Sequence, residues 1–205
     1  MKKILFLGIL FALTSFASCD KDDDNIIEEP RKNGENSGEF PIWELGVDTM
    51  SYVNLAGINW ATHNLGAERP ELYGNLYSWI YEAVAIRESL IGTGWRLPTK
   101  NEFQKLIDDC EWTHITTPMV MEYSWYVEGY EVKDPTNGNT IFLPEAGKVY
   151  PDRDVEWGDG YYWTSDIQIM KYVWYLNFGD SWRKMSAGND YFTGMSIRLV
   201  FDGKK

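Results

Sequence analysis

Beyond Pro118 no long run of this sequence carries a helical hydrophobic period, and that limits the fold more than any other feature. The clear helical signal lies earlier. Thr99-Lys100-Asn101-Glu102 is a capping box, in which the Thr99 hydroxyl and the Glu102 carboxylate each serve a backbone amide at the helix start. Phe103, Leu106, Ile107 and Cys110 then recur at i, i+3, i+4 and i+7, so a helix is expected from Lys100 to about Cys110 with Cys110 on its buried face. An earlier helix is expected from Glu71, behind Pro70, to about Ala83, with Leu72, Leu76, Trp79, Ile80 and Ala83 apolar. Tyr52–Leu55 and Ile58–Ala61 read as a hairpin around Ala56-Gly57. In the later half, short strands are expected at Tyr123–Val127, Tyr130–Lys133, Thr140–Leu143, Tyr161–Ser165, Tyr172–Phe178 and Ser196–Phe201. Asp134–Asn139 is turn-like by composition. Helices early and strands late give an α+β class. Alternation along Val173–Phe178 assigns Trp174, Leu176 and Phe178 to the core and leaves Tyr175 and Asn177 less buried.

The N-terminus carries an address. Met1-Lys2-Lys3 precedes the apolar run Ile4–Leu13, then small residues, then Cys19. Charge, length and order are those of a signal peptide, and the run is too short to span a bilayer as a helix. Phe16-Ala17-Ser18-Cys19 resembles the lipobox of bacterial lipoproteins, which implies removal of residues 1–18 and acylation of Cys19. Asp20-Lys21-Asp22-Asp23-Asp24 resembles the acidic export signal of Bacteroidota lipoproteins, which implies an outer-membrane protein facing the cell exterior. Residues 19–40 are too polar to form a core and read as a flexible acidic stalk, leaving 41–205 as one domain.

The chain holds two cysteines. With Cys19 acylated, Cys110 has no partner, so the exported domain folds without a disulfide. Ten Trp and thirteen Tyr supply core and contact surface instead. The net charge of −12 repels phosphate backbones and excludes a nucleic-acid partner. Cys110 on an apolar helix face, and His63 and His114 with no Gly-x-Ser-x-Gly elbow, offer no catalytic nucleophile, and no cofactor or metal is called for. Asp108 and Asp109 read as a solvated helix face. The acidic loop Asp152–Asp159 has oxygen donors suited to calcium, but reads better without an ion. Asp48-Thr49-Met50 fits a short O-glycan acceptor pattern.

A set of blocks in fixed order resembles the Fibrobacter succinogenes major paralogous domain. They are Trp60–Ala67, Tyr73–Trp79, Gly94–Thr99, Ile141–Gly147, Gly160–Ser165, Tyr175–Phe178 and Ser196–Val200. Ile80–Ile91 departs from the pattern, lacking its Gly-Glu start and longer insertion. The resemblance implies a C-type-lectin-like fold, with two helices packed on small antiparallel sheets and a long loop region carrying the ligand face. It marks the stretch between Trp163 and Arg198 as that face, with Tyr172, Tyr175, Asn177, Asp180, Trp182, Arg183, Asn189 and Tyr191 as candidate ligand-binding residues. The expected function is non-catalytic binding of a glycan or a protein. The alternatives are a structural subunit of a surface complex, favoured by an apolar patch around Trp157, Trp174 and Trp182, and an enzyme on a fold like that of formylglycine-generating enzymes. A pocket joining His63 or His114 to an acid would favour the enzyme.

Overall fold

The structure, a computed structural model, describes residues 45–118, 126–169, 172–188 and 191–203. Cys19 and Asn189 lie outside these, as do residues 123–125 of an expected strand. Strands β1 (Tyr52–Leu55) and β2 (Ile58–Ala61) form the expected hairpin. Its turn places Ala56 and Gly57 at φ 51° and 75°, the mirror-image geometry that matches strand twist.

The first helix is displaced from its expected position. Residues 71–76 are turn and coil, Tyr77–Ser78 is strand β3, a π-helical turn runs Trp79–Ala83, and α1 follows at Val84–Ser89. Gly74 explains the shift. It sits at φ 72°, and a Cβ there would lie 2.5 Å from the Leu65 carbonyl oxygen. The neighbouring chain is tied to the loop after β2: the Asn75 amide donates to Leu65 O at 3.1 Å, and Asn64 Nδ2 to Tyr73 O at 2.9 Å. The helical turn starts where Glu82 can accept from the Ser78 amide and hydroxyl, at 2.7 and 3.0 Å. The buried stripe is accordingly Trp79, Ala83, Ile86 and Leu90, while Ile80 is exposed.

The second helix, α2 (Lys100–Asp109), is as expected. Thr99 and Glu102 complete the capping box, Phe103 and Leu106 are buried, and Cys110 is the buried C-cap. Asp108 and Asp109 face solvent. Between the helices, β4 (Trp95–Arg96) joins a sheet ordered β1-β2-β14-β4, where β14 is Val200–Phe201. The second sheet is β5 (Glu111–Pro118), β6 (Tyr126–Lys133) and β7 (Thr140–Pro144). The third is β10 (Gly160–Ile169), β11 (Tyr172–Gly179) and β12 (Trp182–Gly188). A fourth sheet links β3 and β13 (Gly194–Met195) to β8 (Lys148–Val149) and β9 (Val155–Glu156). Among the described residues the strands pair antiparallel within each sheet, with one isolated parallel bridge between Tyr162 and Ser196, which together with the short helices gives an α+β fold.

β5 and β12 were not expected. The polar run of β12 reads as loop because β12 is an edge strand, where charged side chains face water and discourage pairing with other chains. The expected strand Ser196–Phe201 is regular only at Val200–Phe201. Its first part is extended but bonded to several partners: Ser196 O accepts from Trp163 N, Ile197 O from Leu65 N and Leu199 O from Ala61 N.

The third sheet divides the core in two. Trp163 and Val173 face a cluster with Trp79, Ile86, Leu97 and Ile197. Tyr162, Leu176 and Phe178 face a second cluster with Trp60, Phe103, Leu106 and Leu143. Each large side chain so buried contributes about 1.5–3 kcal/mol. β11 is therefore covered on both faces, and alternation along it does not separate core from solvent. Asn177 is buried at 8% exposure, contrary to expectation, and Trp174 is only half-buried, with the Lys100 ammonium 3.5 Å from its ring centroid.

A buried polar node holds the halves together. Arg198 is fully buried and donates to Asn64 Oδ1, Ala61 O and Phe142 O at 2.8–2.9 Å. Beside it the Tyr162 hydroxyl donates to Pro144 O at 2.8 Å. Burial lowers the Arg198 pKa to about 10 against the opposing influence of Tyr162, so the guanidinium stays charged at neutral pH. Residues from four of the collinear sequence blocks meet here, and their role at this node is structural.

Candidate functional site

The β11–β12 hairpin spreads the expected ligand-binding residues along its length. Tyr172 stands at one end and is 45% exposed, and Asp180, Trp182 and Arg183 stand at the other. At about 3.3 Å per residue the two ends are roughly 20 Å apart, so one small ligand cannot touch both. Tyr175 is half-buried against Trp163, edge-on at 5.9 Å between ring centroids. Asn177 accepts from the Ser186 hydroxyl at 2.8 Å and is an internal sheet residue, not a surface one. Tyr191 packs against the first core cluster, and its carbonyl accepts from Ile80 N at 3.1 Å. Of the expected set, the structure brings together Asp180, Trp182 and Arg183.

These three lie at a hairpin tip anchored to β6. The Tyr130 hydroxyl donates to Gly179 O at 2.9 Å, just before exposed Asp180. Trp182 is 39% exposed, with the Lys184 ammonium 5.4 Å from its ring. Arg183 is exposed and lies 5.4 Å from the Trp112 ring. The tip thus offers an aromatic surface flanked by Lys184 on one sheet face and the Arg183 guanidinium over Trp112 on the other, with Asp180 exposed in the turn between the strands.

Next to the tip is a group that sequence reasoning did not assemble. His114 of β5 and Glu145, just after β7, pair at 3.2 Å between Nε2 and Oε2. Glu145 is buried, with burial and then the like charges of Glu128 and Asp180 raising its pKa, while the bond to His114 works the other way. Glu128 of β6 joins them. Two strands and the end of a third deliver these residues from positions 114, 128 and 145, so only strand pairing brings them together. The sequence signals were His114, weighed as a histidine that an acid could join, and Glu145 inside the block Ile141–Gly147.

No family model, curated protein or solved structure matches this chain. The chemistry therefore has to be judged from the site itself.

Other candidates are weaker. Asp152 and Glu156 of the acidic loop each face a cation at 3.8 Å, Arg153 and Lys148, and Asp159 accepts from the Tyr161 hydroxyl at 3.1 Å, so these carboxylates do not converge. His63 is bonded to the Thr62 hydroxyl, and burial, aided by Arg198, lowers its pKa. Burial, with Asp134 and Asp109, raises the Cys110 thiol to about 11, which leaves it protonated at neutral pH. A cleft of about 830 Å³ opens beside α1 and β4, but its central cation, Arg96, is already held by Glu102 and Asp202 at 2.6–3.0 Å. Trp157, Trp174 and Trp182 do not form one apolar patch: Trp174 lies under Lys100, and Trp182 is roughly 16 Å away along the hairpin by strand rise.

Proposed function

We propose that this chain is a cell-surface lipoprotein, anchored in the outer membrane through Cys19, whose C-type-lectin-like domain binds a glycan without chemistry. The observation that carries the reading is the hairpin tip, where the Trp182 ring is exposed with the Lys184 ammonium 5.4 Å from it and Asp180 exposed in the adjoining turn. An aromatic face stacks on the apolar side of a sugar ring, and flanking charged groups bond its hydroxyls. Small antiparallel sheets with two short helices and the absence of a disulfide among the described residues support the C-type-lectin-like reading. The apolar run before Cys19 and the acidic run after it support the lipid anchor and surface exposure.

Full-length protein in detergent, applied to a glycan array, tests the ligand. Binding lost in both Trp182→Ala and Asp180→Ala, with unchanged melting, supports a lectin using this tip. No glycan bound, with cross-links to a surface protein through the tip on intact cells, turns the reading to a protein ligand. The anchor is tested by Cys19→Ala, which should move the protein from the membrane fraction to the soluble one and abolish fatty-acid labelling.

A second reading, an enzyme, draws on the His114–Glu145 pair, an arrangement that acid–base catalysis uses. Among the described residues no hydroxyl or thiol is hydrogen-bonded to His114 to complete a triad, which favours binding over catalysis.

A further inference from the structure

His114, Glu128 and Glu145 bring one ligand atom each to within 4.8 Å of one another. The strand register requires it. His114 pairs with Tyr130 and Thr116 with Glu128, so His114 and Glu128 are diagonal neighbours on one sheet face. Glu145 is drawn in by its own amide, which donates to Glu128 O at 2.9 Å.

An independent observation concerns Glu145. The residue is 3% exposed, and while Oε2 meets His114, Oε1 has no hydrogen-bond partner among the described residues. A buried carboxylate oxygen with no donor is costly, and native proteins rarely leave one so.

We propose that His114, Glu128 and Glu145 form a binding site for a divalent first-row transition-metal ion such as zinc. One imidazole nitrogen and two carboxylates are donors that zinc and manganese accept, whereas calcium and magnesium favour oxygen alone. Two ligands of a tetrahedral ion at bond lengths of about 2.1 Å lie about 3.4 Å apart. His114 Nε2 and Glu145 Oε2 are at 3.2 Å, and exposed Glu128 closes the set by a change of rotamer. The Tyr130 ring, edge-on to His114 at 5.1 Å, fixes the imidazole from behind. Three protein ligands leave one coordination position facing solvent. The site is independent of the glycan reading and stands or falls without it.

The test is titration of full-length, tag-free, EDTA-stripped protein in detergent with zinc chloride, followed calorimetrically, with cobalt absorption reporting the coordination. One ion is expected per chain, with a raised melting temperature. Glu145→Gln preserves shape and removes the buried charge. It should lower zinc affinity by more than the roughly 100-fold that loss of a supporting residue costs, without lowering the melting temperature of the metal-free protein. Glu128→Gln, at an exposed position, should weaken binding with no effect on folding, and Asp154→Asn should change neither. No zinc uptake by the wild type, equal uptake by Glu145→Gln, or uptake of calcium but not zinc would overturn the assignment.

Discussion

Gly160→Ala separates steric from conformational demands on glycine in this fold. Gly160 opens β10 opposite Phe178, and a Cβ built on it would lie 2.1–2.5 Å from three atoms of the Phe178 ring. That ring cannot retreat, because it is fully buried and packed against Tyr162, Tyr130 and Trp112 at centroid distances of 5.5–5.8 Å. The backbone at Gly160 needs no left-handed conformation, so the whole cost is overpacking, about 1–3 kcal/mol. For a domain of this size each kcal/mol lowers Tm by about 2–4 °C, so a fall of roughly 2–12 °C is expected in thermal melts followed by circular dichroism. Gly138→Ala is the control. Gly138 has φ 77° with nothing within 4 Å of the added atom, so its cost is the left-handed backbone alone, about 1–2 kcal/mol. Combining Gly160→Ala with Phe178→Leu should recover part of the loss, giving a coupling of about 0.5–3 kcal/mol, whereas Gly138→Ala with Phe178→Leu should be additive. If Gly160→Ala melts with the wild type, or if Phe178→Leu adds its full cost on top, the contact does not limit this position.

Further outcomes follow from the capping box and the buried thiol. Thr99→Ala removes the side chain that accepts from the Glu102 amide and should cost about 1 kcal/mol in urea denaturation. Burial opposes the Glu102 charge, but hydrogen bonds from Arg96 and Thr99 overcome it and hold its pKa below the ordinary carboxylate value. Its stabilisation is therefore present above pH 4.5 and lost as pH falls through the lower folded value, and Glu102→Gln should flatten that acid limb of the stability profile. Cys110, buried and with its pKa raised to about 11, should resist iodoacetamide at neutral pH in native protein and react on addition of denaturant.

Local signals wrote part of this protein directly into its sequence. The capping box fixed α2, the Ala56-Gly57 turn fixed the first hairpin, and the strand-forming residues of Thr140–Leu143 and Tyr172–Phe178 marked β7 and β11. Each depends on contacts within a few residues, which sequence order preserves. Tertiary structure decided the rest. The first helix starts eight residues later than its apolar spacing indicates, at Trp79 rather than Glu71, because Gly74 must pass close to the Leu65 carbonyl, a contact no local pattern encodes. Asn177 is internal because both faces of β11 are covered, whereas alternation assumes that one is wet. His114, Glu128 and Glu145 converge through the pairing of β5 with β6 and of β6 with Glu145, across separations of 14 to 31 positions. Residue chemistry is visible along a chain, but which groups share a site depends on register and on which faces water cannot reach, and those are properties of the folded sheets.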